Sequence, residues 1–292
     1  MAAYNKTRAS LLKHGLAPAK SRGQNFLVNR KMAERIISAA SFAPEDQIVE
    51  VGVGLGALTI PLADSVSRVL GIEIDSGLIR YHQKEQSLPD NVVLQHGDIL
   101  QSDFSLIADQ VSRPLKIIAN LPYSISNPFI FKIIENRSLI DQVVVMLQKE
   151  VADRLTASPG TKEYGIPTVL LSSCATIRRL LRVNASEFHP RPKIDSQVIR
   201  ITFQKNQPDT CSFSALQKIV RSSFQNRRKT LLNNLSSAAW FNTNKIKNKT
   251  VIKEEMRKSI QQAGLKAEMR AESISVLQFL HLAATFEKAH IL

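Results

Sequence analysis

Short apolar runs recur through the first two hundred positions and predict buried β-strands. The predicted strands are Gln47–Val51, Arg68–Ile74, Asn91–Gln95, Leu115–Asn120, Gln142–Leu147, Ile177–Val183 and Gln197–Phe203. Apolar residues at helical spacing between them predict the helices Arg30–Ala40, Ser76–Gln86 and Asn127–Asn136. Strands that alternate with helices indicate a mostly parallel α/β sheet with helices on both faces. The last two strands are joined by a proline-rich loop, which favours an antiparallel edge there.

The pattern changes at a polar segment with a proline, residues 205–209, which we interpret as a linker. Beyond it the spacing is helical and predicts Ser212–Phe224, Arg227–Ser236, Val251–Ala263 and Ser275–Phe286. Gly264 fits a helix C-cap, and Ser275 with Gln278 fits a capping box. We therefore predict two domains, residues 1–204 with a basic N-terminal arm at 1–24, and a small all-α domain at 205–292.

The charge points to a polyanionic partner. The formal net charge is +14, and residues 201–292 hold 15 Lys and Arg against 6 Asp and Glu, so this segment carries +9. A strong basic bias in one segment favours nucleic acid as the partner.

Other bulk features narrow the class of protein. No apolar run reaches the roughly 18 residues of a membrane span, and the N-terminus lacks a signal peptide's apolar stretch. Cys174 and Cys211 are isolated, with no His at metal spacing, which predicts reduced thiols in a cytoplasmic protein and no metal site. The basic N-terminus fits an RNA-contacting arm and a mitochondrial transit peptide equally well.

A glycine-rich turn follows the first strand of the sheet. Gly52 and Gly54 lie in the run from Glu50 to Thr59, where glycines let the backbone approach a ligand closely. Glu73 ends the next strand, where a carboxylate can hold both hydroxyls of a ribose. A nicotinamide-dependent oxidoreductase needs the same two parts, so these residues alone leave the cofactor open.

Two further features favour S-adenosylmethionine. Asp98 closes the third strand, where its carboxylate can accept a hydrogen bond from an adenine amino group. The loop after the fourth strand, Asn120-Leu121-Pro122-Tyr123, offers hydrogen-bond acceptors rather than a surface for a nicotinamide.

That loop has the composition of a clamp for a planar amine. The Asn120 side-chain oxygen and the carbonyl of Leu121 or Pro122 can each accept from an –NH₂ group, and Tyr123 can stack on its ring. Two acceptors would aim the amine lone pair at a methyl group, so no general base is needed. Phe188 is the candidate for the second stacking face. The alternative is an ordinary turn at the end of a strand.

The series of motifs resembles the KsgA-type small-subunit ribosomal RNA adenine dimethyltransferases. The resemblance covers nearly the whole chain and rests on Gly23–Leu27, the Gly52 loop, Glu73, Asp98, Asn120–Tyr123, Phe188-x-Pro190-x-Pro192-Lys193-x-Asp195-Ser196 and Phe224-x-Asn226-Arg227-Arg228-Lys229-Thr230-Leu231. It implies a Rossmann-like class I methyltransferase sheet with a small helical domain that contacts rRNA. One departure is Val53, where many relatives have proline.

The resemblance also implies roles for single residues. Asn25 and Leu27 would cover the methionine end of the cofactor, Gly52 would line it, Glu73 would hold the ribose, and Asp98 with Ile99 would contact the adenine. Asn120 would touch both cofactor and target amine, with Tyr123 and Phe188 on either side of the target base. Arg227, Arg228 and Lys229 would bind RNA.

The implied reaction is dimethylation of two neighbouring adenosines in the 3′-end hairpin of the small-subunit rRNA, on an assembling subunit and by a monomer. Two alternatives remain. One is an Erm-like large-subunit rRNA methyltransferase, which shares the cofactor motifs. The other is a binding or assembly factor without activity, which would have no need of Glu73, Asp98 and Asn120.

Overall fold

A computed structural model describes residues 24–204, 210–238 and 249–291. The predicted basic arm up to residue 23, the predicted linker at 205–209 and most of the polar stretch around 242–249 lie outside these residues. The described chain divides by its internal contacts into two compact units. The sheet unit comprises the chain up to Ala152 together with Thr176–Gln204, and the helical unit comprises Asp153–Ala175 with the chain beyond 205. The boundary predicted at 204/205 had assigned residues 153–175 to the first domain.

The strands are β1 (Phe26–Leu27), β2 (Gln47–Val51), β3 (Arg68–Glu73), β4 (Val92–His96), β5 (Leu115–Asn120), β6 (Ile140–Gln148), β7 (Ala175–Val183), β8 (Phe188–His189) and β9 (Ser196–Phe203). The helices of the sheet unit are α1 (Arg30–Ala40), α2 (Thr59–Ala63), α3 (Ser76–Glu85), α4 (Phe104–Ala108), α5 (Ser126–Glu135) and α6 (Lys149–Leu155), whose last residues pass into the helical unit. The helices of the helical unit are α7 (Ile166–Ser172), α8 (Phe213–Ser223), α9 (Leu231–Leu235), α10 (Lys249–Gln262) and α11 (Val276–Lys288).

One seven-stranded sheet forms the centre of the sheet unit, in the order β4-β3-β2-β5-β6-β9-β7. Strands β2 to β6 pair in parallel, and β9 pairs antiparallel with β6. The predicted mostly parallel sheet with an antiparallel edge is thereby confirmed. The two-residue strands β1 and β8 form a separate antiparallel pair that the pattern did not predict.

The core of the sheet unit explains why α1 forms where it does. Its apolar residues Met32, Ile36 and Ile37 recur at helical spacing and pack into one buried cluster with strand residues such as Ile48 and Val144. Asn29 begins the helix, because its side-chain oxygen accepts a hydrogen bond from the Met32 N–H.

The strand order places a ligand site at one edge of this sheet. The chain runs outward from β2 through β3 to β4 and then returns to the other side of β2 with β5. In open α/β sheets, ligands bind in the crevice outside the carboxyl ends of the strands at such a switch point.

The helical unit is built around α8, which packs against α7, α9 and α11. The centroid of the Phe224 ring lies 5.8 Å from that of Phe279 and 6.1 Å from that of Tyr164. The Tyr164 hydroxyl donates a hydrogen bond to the Ile274 carbonyl over 2.8 Å. Ser275 and Gln278 form the predicted capping box at the start of α11. None of the described helices is both long and apolar enough to span a bilayer.

Candidate active site

A cavity of about 260 Å³ opens at the carboxyl ends of β2, β3, β4 and β5. Every residue that lines it belongs to the sheet unit. Its walls include Gln24, Asn25, Phe26, Gly52, Gly54, Ile72, Glu73, Ile74, Leu78, Asp98, Ile99, Asn120, Leu121, Pro122, Tyr123 and Phe188. The structure therefore brings together all but one of the residues that the sequence predicted for cofactor and amine.

The glycine turn forms the floor of the cavity. Gly52 and Gly54 have φ of +80° and +59°, in the left-handed region that favours glycine. A Cβ at Gly52 would lie 3.4 Å from the Asn120 carbonyl oxygen, and one at Gly54 would lie 3.3 Å from the Phe26 ring. The turn therefore keeps backbone, rather than side chains, against whatever fills the cavity.

Glu73 is held rigidly beside this turn. One carboxylate oxygen accepts from the Gly54 N–H and the other from the Asp75 N–H, each over 2.9 Å. The side chain is buried, and burial raises the pKa of its carboxyl although hydrogen bonds from backbone N–H groups, that of Gly54 first, oppose that shift. Each oxygen retains a lone pair, so Glu73 can still accept from two ligand hydroxyls.

Asp98 is anchored at one oxygen only. Its Oδ1 accepts from the Leu100 N–H over 2.9 Å, while no described residue donates to Oδ2. Ile99 beside it is buried and lines the cavity. A carboxylate with one free oxygen next to an apolar side chain suits the amino edge and the face of a purine.

The loop after β5 distinguishes between the two carbonyls that the sequence offered. The Pro122 carbonyl accepts from the Ile125 N–H over 3.1 Å in a short 3₁₀ turn, Tyr123–Ile125. Among the described residues, no backbone N–H donates to the Leu121 carbonyl. The Leu121 carbonyl is therefore available to accept a hydrogen bond from a ligand.

The hydroxyl group of Tyr123 is hydrogen-bonded to a neighbouring side chain. Its hydroxyl lies 3.3 Å from Oγ of Ser196, a buried residue at the start of β9. Burial raises the pKa of the Tyr123 phenol, so the hydroxyl keeps its proton. Phe188 lines the cavity too, but it is 2% exposed and belongs to the hydrophobic core. Only a small part of its ring faces the cavity.

Leu27 is the predicted residue that does not line the cavity. It is buried in the hydrophobic core opposite Phe188, its partner in the β1–β8 pair. Phe26, the preceding residue of β1, lines the cavity and points to the opposite face of the strand.

The sequence prediction missed two polar residues near the glycine turn. Glu50 is 1% exposed on β2, and its Oε2 has no hydrogen-bond partner among the described residues. His82 on α3 is 4% exposed and contacts the Gly54 carbonyl. The sequence did carry a signal for Glu50, because it is a charged residue at a strand position that the apolar pattern predicts to be buried. His82 carried no comparable signal.

The three predicted RNA-binding residues differ in their surroundings. Arg227 donates to the Lys162 carbonyl over 2.7 Å and pairs with Glu272 at 3.2 Å, all within the helical unit. Arg228 and Lys229 are exposed. Arg227 thus joins parts of its own unit, which leaves Arg228 and Lys229 as the better candidates for an external anion.

Comparisons with known proteins agree on one family. The sequence model of the family described as ribosomal RNA adenine dimethylase matches residues 17–285. The chain is 51% identical over 290 residues to the ribosomal RNA small subunit methyltransferase A of Desulfotalea psychrophila, which covers 99% of this chain and 98% of that protein.

Two solved structures share the architecture. A dimethyladenosine transferase from Plasmodium falciparum matches with a TM-score of 0.74 and 26% identity, over 90% of this chain and 97% of that one. The 23S rRNA methyltransferase ErmE matches with a TM-score of 0.63 and 22% identity, over 90% of this chain and 100% of that one, which shows a common fold.

The sheet order and the cavity at its switch point define a class I methyltransferase fold. The chain belongs to the ribosomal RNA adenine dimethylase family. The resemblance on which the sequence prediction rested is thereby confirmed.

Proposed function

We propose that this protein uses S-adenosylmethionine to dimethylate the exocyclic amines of two adjacent adenosines in the 3′-end hairpin of small-subunit rRNA. The observation that carries the proposal is the Asn120–Tyr123 loop, which lines the same cavity as Glu73 and Asp98. The relative from Desulfotalea psychrophila bears the name of a small-subunit methyltransferase, which favours this substrate over a large-subunit one.

The residues present fit this cofactor. Glu73 is a fixed carboxylate for the ribose hydroxyls, and Asp98 Oδ2 with Ile99 suits the adenine. The positive-φ backbone at Gly52 and Gly54 leaves room for the methionine portion, with Asn25 above it. The cofactor would supply a methyl group activated on a sulfonium. A nicotinamide dinucleotide fits less well, because the loop after β5 presents hydrogen-bond acceptors, which suit an amine rather than the carbonyl group that a hydride would reduce.

We assign the amine clamp to Asn120 and Leu121. The Asn120 side-chain oxygen and the Leu121 carbonyl would each accept one N–H of the adenine amine, which directs its lone pair toward the methyl group. The nitrogen becomes acidic only once it is alkylated, so its proton can leave to solvent without a dedicated base. Two fixed dipoles also stabilise the positive charge that develops on that nitrogen.

The target base would stack on Tyr123, with its opposite face toward Phe188. The hydrogen bond between the Tyr123 hydroxyl and Ser196 Oγ holds the end of the tyrosine ring in position. Because Phe188 is 2% exposed and Tyr123 is half-buried, Tyr123 carries most of the stacking contact.

The helical unit would contact the rRNA through Arg228 and Lys229. We place the reaction on an assembling small subunit in the cytoplasm, with the protein as a monomer. The high positive charge of residues 201–292 supports a phosphate-rich partner for this unit.

Asn120→Ala tests the proposal. The variant should still bind S-adenosylmethionine measurably by calorimetry, because Glu73 and Asp98 are unchanged even though Asn120 also lines the cofactor cavity. It should lose dimethylation of immature small subunits by at least about 100-fold, because one of the two amine acceptors is gone. Mass spectrometry of the rRNA measures the modification.

Asn136→Ala is a matched control. Asn136 follows the other end of α5, roughly 15 Å from the clamp by helix rise, and its amide donates to the Lys132 carbonyl. This variant should methylate as the wild type does. Retained dimethylation in Asn120→Ala would refute the clamp, and modification of large-subunit rRNA alone would reassign the substrate.

A further inference from the structure

His82 is a buried histidine that neither the sequence motifs nor the proposed chemistry uses. Its ring lies between two polar groups of different segments. Nε2 is 2.9 Å from the carbonyl oxygen of Gly54 in the glycine turn, and Nδ1 is 2.7 Å from Oγ of Ser87, just after α3. Both nitrogens of the ring are therefore satisfied in a site that is 4% exposed.

These contacts fix the tautomer. A carbonyl oxygen can only accept, so Nε2 must carry the hydrogen, and in the neutral ring Nδ1 accepts from the Ser87 hydroxyl. Burial lowers the pKa of His82, although the bond to Gly54 opposes that shift. The ring is accordingly a neutral donor aimed at Gly54.

Gly54 is thereby held on both sides. Its N–H donates to Oε2 of Glu73 over 2.9 Å, and its carbonyl accepts from His82. The residue has φ of +59°, where local backbone preferences alone do not hold a single conformation. The Glu73 carboxylate and the His82 ring reach this one residue from the end of β3 and from α3, the helix that follows it.

We propose that His82 is a positioning residue for the cofactor: its Nε2–H fixes the Gly54 carbonyl, so that the Gly54 N–H keeps the Glu73 carboxylate aimed into the cavity. This inference rests on the proposed use of S-adenosylmethionine. Without the histidine donor, the turn would have to be ordered when the ligand binds, and ligand affinity would fall by the cost of that ordering.

Two substitutions at His82 separate this role from simple filling of space. A glutamine amide nitrogen reaches about as far as Nε2, whereas an asparagine amide nitrogen reaches only about as far as Nδ1. His82→Gln should keep the dissociation constant for S-adenosylmethionine within about threefold of the wild type. His82→Asn should raise it about tenfold, which is the usual effect of losing one hydrogen bond.

Calorimetric titration with S-adenosylmethionine and with S-adenosylhomocysteine measures these constants. At saturating cofactor, methyl transfer by His82→Asn to immature small subunits should stay within about twofold of the wild type, because the clamp at Asn120 is untouched. His281→Asn on α11 is a matched control, since His281 is an exposed histidine of the helical unit. It should leave cofactor affinity unchanged.

A measurement on the unaltered protein covers the case in which His82→Asn does not fold. Two-dimensional ¹H–¹⁵N spectra of ¹⁵N-histidine protein should show His82 as the Nε2–H tautomer near neutral pH. An Nδ1–H ring would overturn the inference, and so would equal affinities in the glutamine and asparagine variants. A wild-type protein that binds no S-adenosylmethionine would instead refute the proposed function.

Discussion

Glu50 is the most deeply buried carboxyl near the candidate site. It is 1% exposed, and this burial is the main reason why the pKa of its side chain is raised to about 8. The Thr59 hydroxyl lowers the pKa, and the negative charge of Glu73 raises it. At neutral pH this carboxyl is therefore mostly protonated in the folded protein. In the unfolded chain the same carboxyl would be ionised at any pH above its ordinary pKa of 4.5.

Glu50→Gln should flatten the pH dependence of stability. Between the unfolded pKa of 4.5 and the folded pKa of about 8, the folded state holds one more proton, so stability falls as pH rises. For this group the slope is about 1.4 kcal/mol per pH unit, present in the wild type and absent in the variant. Urea unfolding at several pH values from 5 to 8 measures the difference between the two proteins.

Glu45→Gln provides the control for that series, because Glu45 is exposed on the preceding segment. Its stability curve should run parallel to that of the wild type across the same pH range. If the curves of Glu50→Gln and wild type also ran parallel, the Glu50 carboxyl would have to be ionised in the folded state, contrary to its burial.

At the residue scale, the sequence was informative where a role depends on neighbours in the chain. Asn120 through Tyr123 could be predicted as a group because one loop carries all of them. His82 could not, because its partner Gly54 lies 28 positions away and a single histidine on a helix predicts nothing specific. The core position of Leu27 could not be predicted for a related reason, since its pairing in β1 and β8 lies in two-residue strands that leave no sequence pattern.

At the scale of elements, α9 shows how side chains override a helical pattern. The spacing predicted a helix from Arg227, but α9 begins at Leu231, with the Thr230 hydroxyl accepting from the Asn233 N–H. The preceding residues form a turn in which the Lys229 N–H donates to the Asn226 carbonyl over 3.0 Å. Arg227 instead contacts Lys162 and Glu272. These residues are distant from Arg227 in the chain, so no local sequence pattern could predict the contacts.

The capping box of α11 offers a prediction for one element. The Ser275 N–H donates to Gln278 Oε1 over 2.8 Å, and the Gln278 N–H donates to Ser275 Oγ over 3.3 Å. Ser275→Ala removes one of these bonds and should lower the free energy of unfolding by about 1 kcal/mol. Thermal and urea unfolding measure the change, and affinity for S-adenosylmethionine should not follow it.

Gln261→Ala is the matched control for that variant, since Gln261 is an exposed residue on α10. Its stability should stay within about 0.5 kcal/mol of the wild type. A loss in Ser275→Ala no larger than in Gln261→Ala would show that the box contributes nothing measurable to this helix.

At the scale of the molecule, the central strands β2 and β5 were predicted residue for residue, because buried parallel strands are nearly continuous apolar runs. The segment 153–175 was placed with the first domain although its contacts lie in the helical unit. That boundary was predicted from the polar segment with a proline at 205–209, a local signal that carries no information on contacts between distant positions. Tyr164 illustrates the difficulty, because its hydroxyl partner is the Ile274 carbonyl, 110 positions further on.

The net charge of +14 leads to a prediction about binding to the ribosomal subunit. Arg228→Glu with Lys229→Glu should weaken binding to immature small subunits. It should also reduce the slope of log affinity against log salt concentration by about two, one for each phosphate that these side chains no longer neutralise. Arg227 is not substituted, because loss of its bonds to Lys162 and Glu272 would destabilise the helical unit and weaken binding for that reason alone.

The matched control is Arg80→Glu with Lys84→Glu, two exposed residues one turn apart on α3. It changes the net charge by the same amount in the sheet unit. Since counterion release depends on which phosphates the protein neutralises and not on its total charge, this pair should keep the wild-type salt slope. Binding titrations at four or more salt concentrations give both slopes. Equal reductions in the two variants would mean that the whole basic surface, rather than the turn before α9, draws the protein to the subunit.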